Sequence, residues 1–512
     1  MKHITALFLL ILICETKIKN DEDDDNIPRE PSTTERKLIK FGDSITKCFD
    51  DLGCIRVDDE WFDKKYRPVN FMPVDPESLR TEFLYIKRNN SKPNAVYYVV
   101  MTSNPSSIKN SGFDGKSSTF MLIHDFTSNG FAGWIKHISK VLFTRLKTCN
   151  IVSVDWQHGA EPPYDQAIAN ARTVALEIIN FIKVLKQKFN FDVSRLHLIG
   201  HGVGAHIAGY VGTVFCRIKK ITGLDPSGPR FDKMSPTVTL DASDAKYVEV
   251  LHTDGIGEHH QGSLERFGHS DFYINDADLQ PGCSQDEALT NLLSVTRDSL
   301  EECQILPGCS HKMAYKYFIE SLEAEACSFL GIRCSSYQDF INGKCTSCDK
   351  DRCRTFGMAT FNSTENNTYA SYYLQTSKKP PYCLYQYRIT LHLKATKPTF
   401  TGYFKFILID VNHRVTSSSV SEPRDFKGGS GNSLVFYAGS PEMGKIKSAK
   451  IGWHQKRNVF CIINCKESVN VEKVSISSIN SHQKNVSTSV LCPKDGITEI
   501  INGDYQEFYP CS

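Results

Sequence analysis

The stretch LHLIGHGVGAHIAGY (residues 196–210) combines a strand, a sharp turn and the start of a helix. An alternating apolar run leads into GHGVG (200–204), after which small residues open a helix. This is the pattern of a nucleophile elbow, whose outer glycines let strand and helix approach closely and whose central residue sits on a strained turn. Gly200 and Gly204 keep that frame, but the central residue is Gly202. The elbow therefore offers no side chain as a nucleophile.

The segments around the elbow predict an α/β fold with a mostly parallel central sheet. Buried strands are predicted at 120–123 and 150–156, and residues 164–185 carry apolar residues at helical spacing. Further strands are predicted at 221–224 and 247–252. Strands that alternate with helices in this way favour a parallel sheet covered on both faces.

A second, all-β domain is predicted after the linker SKKPP at 377–381. Its strand-like segments are 384–393, 402–410, 433–438 and 458–463, with no convincing long helix. A basic cluster surrounds Trp453 and consists of Lys445, Lys447, Lys450, Lys456 and Arg457. The cluster is either a solvated face or a surface for a polyanion or an anionic lipid.

The composition and the N-terminus predict a secreted protein without a membrane span. At 512 residues and a net charge of +2, the chain has room for about two or three domains and nothing that points to nucleic acid. Lys2 precedes a short apolar run at 4–14, which reads as a signal peptide within 1–20, followed by an acidic leader at 21–40. The chain also carries potential surface glycosylation sites at Asn89, Asn362, Asn366 and Asn485.

The cysteines predict a disulfide framework. Of the 18 cysteines, one lies in the signal peptide, so an odd number remains and at least one is unpaired within the chain. Cys149 and Cys216 stand isolated and are the candidates for a free thiol. Cys48 and Cys54 enclose a short loop that a local disulfide would close. The crowded Cys334, Cys345, Cys348 and Cys353 allow zinc or disulfides, and an oxidising compartment favours disulfides.

Taken in order, the motifs resemble those of the pancreatic and lipoprotein lipase family. They are VDW at 154–156, LDPSGP at 224–229, GHSDFY at 268–273, QPGC at 280–283 and CSH at 309–311. The resemblance implies an α/β-hydrolase domain over residues 41–375 and a PLAT β-sandwich over 376–512. It also implies a lid at 283–309, tied by Cys283 and Cys309, although the leucines within it equally suit a surface helix.

Carried over from the family, the catalytic triad is incomplete. The resemblance makes Asp225 the acid and His311 the base, and it puts Gly202 where a serine would attack. Losing a triad nucleophile costs on the order of 10⁶ in kcat. A buried Asp–His hydrogen bond can also persist for structural reasons alone.

The oxyanion hole and the calcium site of the family are altered as well. The resemblance implies backbone donors at Phe126 and Val203, but Asp125 stands where the family usually has glycine, and its carboxylate would oppose a developing negative charge. Asp241 and Asp244 match the family's calcium ligands, while Thr239 replaces a nearby basic residue. The resemblance implies no other cofactor.

The leading functional hypothesis is a secreted lipase-like protein that has lost hydrolysis and retains binding to lipid or to a lipid–water interface. A heparin-like glycan or a protein partner at the C-terminal domain is compatible with it. The alternative is an active triacylglycerol lipase or phospholipase A1 that uses an unrecognised nucleophile or a water activated by His311. A purely structural or storage role is the third hypothesis.

Overall fold

The computed structural model describes most of the chain outside its N-terminal segment. The described residues are 38–50, 52–88, 95–215, 217–283, 308–323, 327–345, 348, 352–357, 369–394, 399–427, 433–455, 468–479 and 488–511. Several predicted features lie outside them: the signal peptide, nearly all of the acidic leader, the interior of the lid, the four glycosylation sites, Cys216, Lys456, Arg457 and the strand at 458–463.

The first part of the chain builds a large mixed sheet and two small antiparallel pairs. Its strands are β1 (Leu38–Ile39), β2 (Ile45–Phe49), β3 (Gly53–Val57), β4 (Asn70–Phe71), β5 (Glu82–Lys87), β6 (Val96–Val100), β7 (Thr119–Ile123), β8 (Asn150–Asp155), β9 (Leu196–His201), β10 (Lys220–Leu224), β11 (Val248–His252), β12 (Ser270–Ile274), β13 (Leu330–Arg333), β14 (Cys353–Thr355) and β15 (Ala370–Leu374). Within the described residues the sheet order is β14-β13-β15-β12-β11-β10-β9-β7-β8-β5-β6, and β1 pairs with β4 and β2 with β3. The strands from β8 to β15 in this order are parallel, and antiparallel strands flank them at both edges.

Helices cover both faces of this sheet. They are α1 (Pro76–Leu79), α2 (Pro105–Ser111), α3 (Gly133–Arg145), α4 (Tyr164–Phe189), α5 (Val203–Val214), α6 (Cys309–Glu323) and α7 (Tyr337–Ile341). Because successive side chains of a strand point to opposite faces, Leu198 of β9 packs in the core beneath α4 and α5, whereas Ile199 packs in the core beneath α3 and α6. The predicted α/β class is confirmed.

The second part of the chain is an all-antiparallel β-sandwich. Its strands are β16 (Tyr385–Leu393), β17 (Thr399–Asp410), β18 (Val415–Lys427), β19 (Ser433–Ser440), β20 (Ile446–Gln455), β21 (Ser468–Ser478), β22 (Ser489–Pro493), β23 (Glu499–Ile501) and β24 (Tyr505–Pro510). Its aromatic core includes Phe404 and Trp453, both fully buried. Trp453 therefore does not belong to a surface patch, and Lys450 pairs with Glu507 at 2.8 Å. Lys445 and Lys447 are exposed.

The predicted disulfide framework is confirmed. The pairs are Cys48–Cys54, Cys283–Cys309, Cys327–Cys383, Cys334–Cys345, Cys348–Cys353 and Cys492–Cys511. Zinc at the crowded cysteines is wrong as an alternative, because each of the four thiols is bonded to another. Within the described part of the chain Cys149 is free. None of the helices among those residues is long and apolar enough to cross a bilayer.

Candidate active-site cleft

The structure builds the predicted elbow between β9 and α5. β9 ends at His201, α5 begins at Val203, and Gly202 between them has φ 54° and ψ −118°, a conformation that side chains rarely adopt. A Cβ at Gly200 would lie 2.2 Å from the carbonyl oxygen of Gly204, and one at Gly204 would lie 2.3 Å from the carbonyl oxygen of Ile123. The outer glycines are therefore required by the close approach of the strand and helix backbones.

The Asp125 carboxylate fills the space that a side chain at the elbow would occupy. A Cβ built on Gly202 would lie 2.1 Å from Asp125 Oδ1 and 2.2 Å from its Cγ. Oδ1 accepts a hydrogen bond from the Val203 amide at 2.7 Å, and Oδ2 lies 3.0 Å from His311 Nε2. The Asp125 carboxylate thus occupies the nucleophile position and also accepts the hydrogen bond of the Val203 amide, one of the two implied oxyanion donors. The sequence did not predict this double role.

Asp225 and His311 come together as the resemblance implied. His311 lies in the first turn of α6, next to the Cys283–Cys309 disulfide, and its Nδ1 is 2.6 Å from Asp225 Oδ2. Asp225 follows β10 with a positive φ of 44°, and its Oδ1 accepts from the Thr253 amide at 2.7 Å. The acid is fully buried, so its orientation is set by the fold.

Two carboxylates therefore hold one imidazole between them. Burial lowers the pKa of His311, but hydrogen bonds and attraction from Asp125 and Asp225 outweigh burial and raise the pKa to about 10. Burial raises the pKa of Asp125, but the hydrogen bond and charge of His311 outweigh it and lower the pKa to about 2. The raised pKa keeps the His311 imidazole protonated at neutral pH, whereas a general base must be unprotonated to accept a proton.

His201 is a further neighbour that the sequence treated only as part of the elbow. Its ring lies 4.3 Å from the His311 ring, centroid to centroid, and its Nε2 lies 3.2 Å from the His311 carbonyl oxygen. Burial, followed by the charge of His311, lowers the pKa of His201 to about 4. His201 is therefore neutral where His311 is charged. The only sequence signals for the contact of His201 with Asp125 and His311 were the tripeptides HDF at 124–126 and GHG at 200–202.

The group opens into a cleft of about 690 Å³. Asp125, His201 and His311 form part of its wall, together with Phe126, Tyr315 and Tyr382. The Asp125 side chain is 15% exposed, whereas His311 is only 3% exposed. The Phe126 ring packs edge-on against Tyr164 at 5.2 Å. Among Asp125, His201 and His311, the Asp125 carboxylate is thus the group most accessible from the cleft.

The predicted calcium ligands lie together, away from this cleft. Asp241 begins a short helical turn, Ala242–Asp244, and its amide donates to Asp244 Oδ2 at 2.8 Å. The other Asp244 oxygen accepts from the Thr213 hydroxyl at 3.0 Å. Burial raises the pKa of Asp244 to about 7. Because Asp241 Oδ1 also accepts from the Ser243 amide, three of the four carboxylate oxygens are already bonded within the protein, and a calcium site at this pair stays a prediction.

Comparisons with known proteins agree on one family. A family model described as Lipase matches residues 46–382. The chain is 32% identical over 419 residues to the inactive pancreatic lipase-related protein 1 of Mus musculus, covering 80% of this chain and 85% of that protein. It is 33% identical over 359 residues to the pancreatic triacylglycerol lipase of Mus musculus, covering 69% and 75%. The inactive pancreatic lipase-related protein 1 of Homo sapiens is 31% identical, with 80% and 86% covered.

Proposed function

The chain belongs to the lipase family, and we propose that it is a secreted member that does not hydrolyse esters and instead binds lipid in its cleft. The observation that carries the proposal is the position of the Asp125 carboxylate. It lies where the side chain of a catalytic serine would have to be, 2.1 Å from a Cβ at Gly202. The missing nucleophile and the occupied space are two separate obstacles to the same reaction.

The first obstacle is the lack of an attacking oxygen. Gly202 has no side chain, and the proton acceptor that would activate a nucleophile is shared between Asp125 and Asp225. In such a triad the loss of the nucleophile lowers kcat by a factor on the order of 10⁶. What remains is the catalysis that binding and the oxyanion hole provide.

The second obstacle is in the oxyanion hole itself. The Val203 amide, which would stabilise a tetrahedral intermediate, already donates to Asp125 Oδ1. A negative charge developing there would meet the carboxylate instead of a free N–H group. Loss of one oxyanion donor raises the barrier by roughly 3 kcal/mol. Restoring a serine alone would leave this obstacle in place.

Lipid binding is supported by the cleft that remains. A volume of about 690 Å³ lies within the usual range of ligand sites, and aromatic side chains such as Phe126, Tyr315 and Tyr382 line it. Two of the similar proteins are named inactive lipase-related proteins, so the fold exists in this family without the activity. Secretion is supported by the apolar run at 4–14 and by the disulfides.

The proposal is tested by measuring hydrolysis and binding on one preparation. Triglyceride and phospholipid emulsions should show no turnover by the purified protein, whereas a fluorescent fatty acyl probe should bind at one site. Ala132→Trp, which places a large ring in the cleft wall, should weaken probe binding by tenfold or more. Val99→Trp, at an exposed apolar position on β6, is the matched control and should leave binding unchanged.

Either of two results would refute the proposal. Ester turnover at a lipase-like rate that disappears in Asp125→Asn would show an active enzyme with an unrecognised nucleophile. Equal probe binding by the wild type and by Ala132→Trp would show that the cleft is not the lipid site.

Exposed lysines of the sandwich support a polyanion as a further partner. Lys445 and Lys447 are exposed, while Lys450 is already paired with Glu507. Exchanging Lys445 and Lys447 for alanine should lower the salt concentration at which the protein leaves a heparin column. An unchanged elution would exclude this surface.

A further inference from the structure

We propose that Asp125, His201 and His311 form a binding site for a divalent transition-metal ion, Zn²⁺ in particular. The site is distinct from the acidic pair Asp241 and Asp244. It does not depend on lipid binding, because it uses only side chains at the elbow end of the cleft.

The three side chains converge closely enough to share one ion. Each offers one ligand atom, and these atoms lie within 4.8 Å of one another. The Asp125 Oδ2 to His311 Nε2 distance is 3.0 Å. Two ligands at about 2.1 Å from a tetrahedral zinc ion stand about 3.4 Å apart. A shift of a few tenths of an ångström would therefore admit the ion between Asp125 and His311, with His201 nearby as the third ligand.

Each ligand side chain is also held by a second hydrogen bond. His311 Nδ1 lies 2.6 Å from Asp225 Oδ2, which leaves Nε2 to face Asp125. His201 Nε2 lies 3.2 Å from the backbone carbonyl oxygen of His311 and donates to it, so His201 Nδ1 carries the lone pair. Asp125 Oδ1 accepts from the Val203 amide at 2.7 Å. Metal-binding histidines typically have their second nitrogen fixed by an oxygen in this way.

The surroundings match the charge and coordination that zinc requires. Zinc binding releases the Nε2 proton of His311 to solvent, and the Asp125 and Asp225 carboxylates that flank the imidazole then face the divalent cation, which limits the cost of burying it. Three protein ligands with one side toward the cleft leave a fourth position for water, as in open zinc sites. Gly202 matters because its missing side chain leaves room for the Asp125 carboxylate.

The test measures metal content and does not use enzymatic activity. After equilibrium dialysis against Zn²⁺ and removal of loosely bound ions, elemental analysis should give one zinc per chain. Co²⁺ in its place should give the visible absorption of a low-coordinate site containing nitrogen ligands. Asp125→Asn and His201→Gln should each abolish the tight site, and Asp225→Asn should weaken it about 10- to 100-fold.

The matched control is another histidine at the same cleft. His137 Nε2 lies 2.8 Å from Glu323 Oε1, and both side chains are about half exposed. His137→Gln should leave zinc binding unchanged. Circular dichroism without metal checks that each variant folds, and if Asp125→Asn fails that check, His201→Gln makes the same comparison. No tight zinc, zinc that survives both ligand substitutions, or zinc lost in His137→Gln would overturn the proposal.

Discussion

Two buried aspartate–histidine pairs lie in the same domain and differ in what surrounds them. His252 Nε2 is 2.9 Å from Asp271 Oδ1, and its Nδ1 is 2.7 Å from the Ser263 carbonyl oxygen. Asp271 also accepts from the backbone of the 267–268 loop, and both side chains are completely buried. His311 is likewise paired with Asp225, but its Nε2 faces Asp125, which is reached from the cleft.

The two pairs differ in whether the cleft reaches the second nitrogen of the imidazole. A buried Asp–His hydrogen bond by itself indicates no chemistry, because the His252 pair has one and both its nitrogens face protein oxygens. What distinguishes His311 is a partner on the cleft side. In this chain that partner is a carboxylate and not a hydroxyl, so the His311 imidazole lies between the carboxylates of Asp125 and Asp225.

The largest expected effect is on the structural pair. Asp271→Ala removes the acceptor of His252 and of two backbone amides, and it should lower the free energy of unfolding by about 3–5 kcal/mol. Urea denaturation followed by fluorescence measures this. Probe binding in the cleft should persist under conditions where the variant is folded. A loss below about 1 kcal/mol would mean that the pair does not support the fold.

A third carboxyl, the partly buried Glu177, has a neutral hydrogen-bond partner. It accepts from the Thr81 hydroxyl at 2.6 Å, and burial raises its pKa from 4.5 to about 8. Between those pH values the folded protein retains a proton that the unfolded chain releases, so stability falls as pH rises. The fall attributable to Glu177 should be on the order of 1 to 3 kcal/mol.

Glu177→Gln provides the control for this pH effect. The variant should lose less stability than the wild type between mildly acidic and mildly alkaline pH, as measured by unfolding at a series of pH values. Identical pH profiles for the two proteins would contradict the raised pKa.

A smaller effect is expected at the cleft carboxylate. Asp125→Asn keeps an acceptor for the Val203 amide and is partly exposed, so it should change the free energy of unfolding by about 1 kcal/mol or less. The same urea experiment measures it beside Asp271→Ala. If Asp125→Asn and Asp271→Ala lowered the free energy of unfolding equally, Asp125 would stabilise the fold as much as Asp271 does. The contrast between the two pairs would then fail.

The smallest expected effect concerns calcium. If Asp241 and Asp244 hold an ion, adding calcium should raise the unfolding temperature by a few degrees, and a chelator should reverse the rise. Asp244→Asn should remove the response. A response that is the same in the wild type and in Asp244→Asn would place the ion elsewhere.

The sequence was sufficient for the architecture because the fold depends on patterns that are local in the chain. The glycine frame at 200–204 and the periodicity of 164–185 each correspond to an observed element, the elbow between β9 and α5 and the helix α4. The residue-by-residue comparison with the lipases also brought Asp225 and His311 into the same candidate site. These predictions needed no knowledge of side-chain positions.

The occupied elbow could not be predicted in the same way. The exchange at Asp125 and the exchange at Gly202 are 77 positions apart in the chain, and only the parallel neighbours β7 and β9 bring them together. The sequence predicted that the Asp125 carboxylate would oppose a negative charge in the oxyanion hole. Only the structure shows that this carboxylate also fills the space of a side chain at Gly202. The burial of Trp453 was not predicted either, since the lysines near it in sequence gave no sign that the indole faces the core.

The most direct test of the account is ester hydrolysis by repaired variants. Gly202→Ser alone should show no gain over the wild type, because the new side chain would collide with Asp125 and the Val203 amide would remain occupied. Gly202→Ser combined with Asp125→Gly should hydrolyse a short-chain ester faster than either single variant by several orders of magnitude. Full activity from Gly202→Ser alone would contradict the account, because it would show that the Asp125 carboxylate does not occupy the elbow.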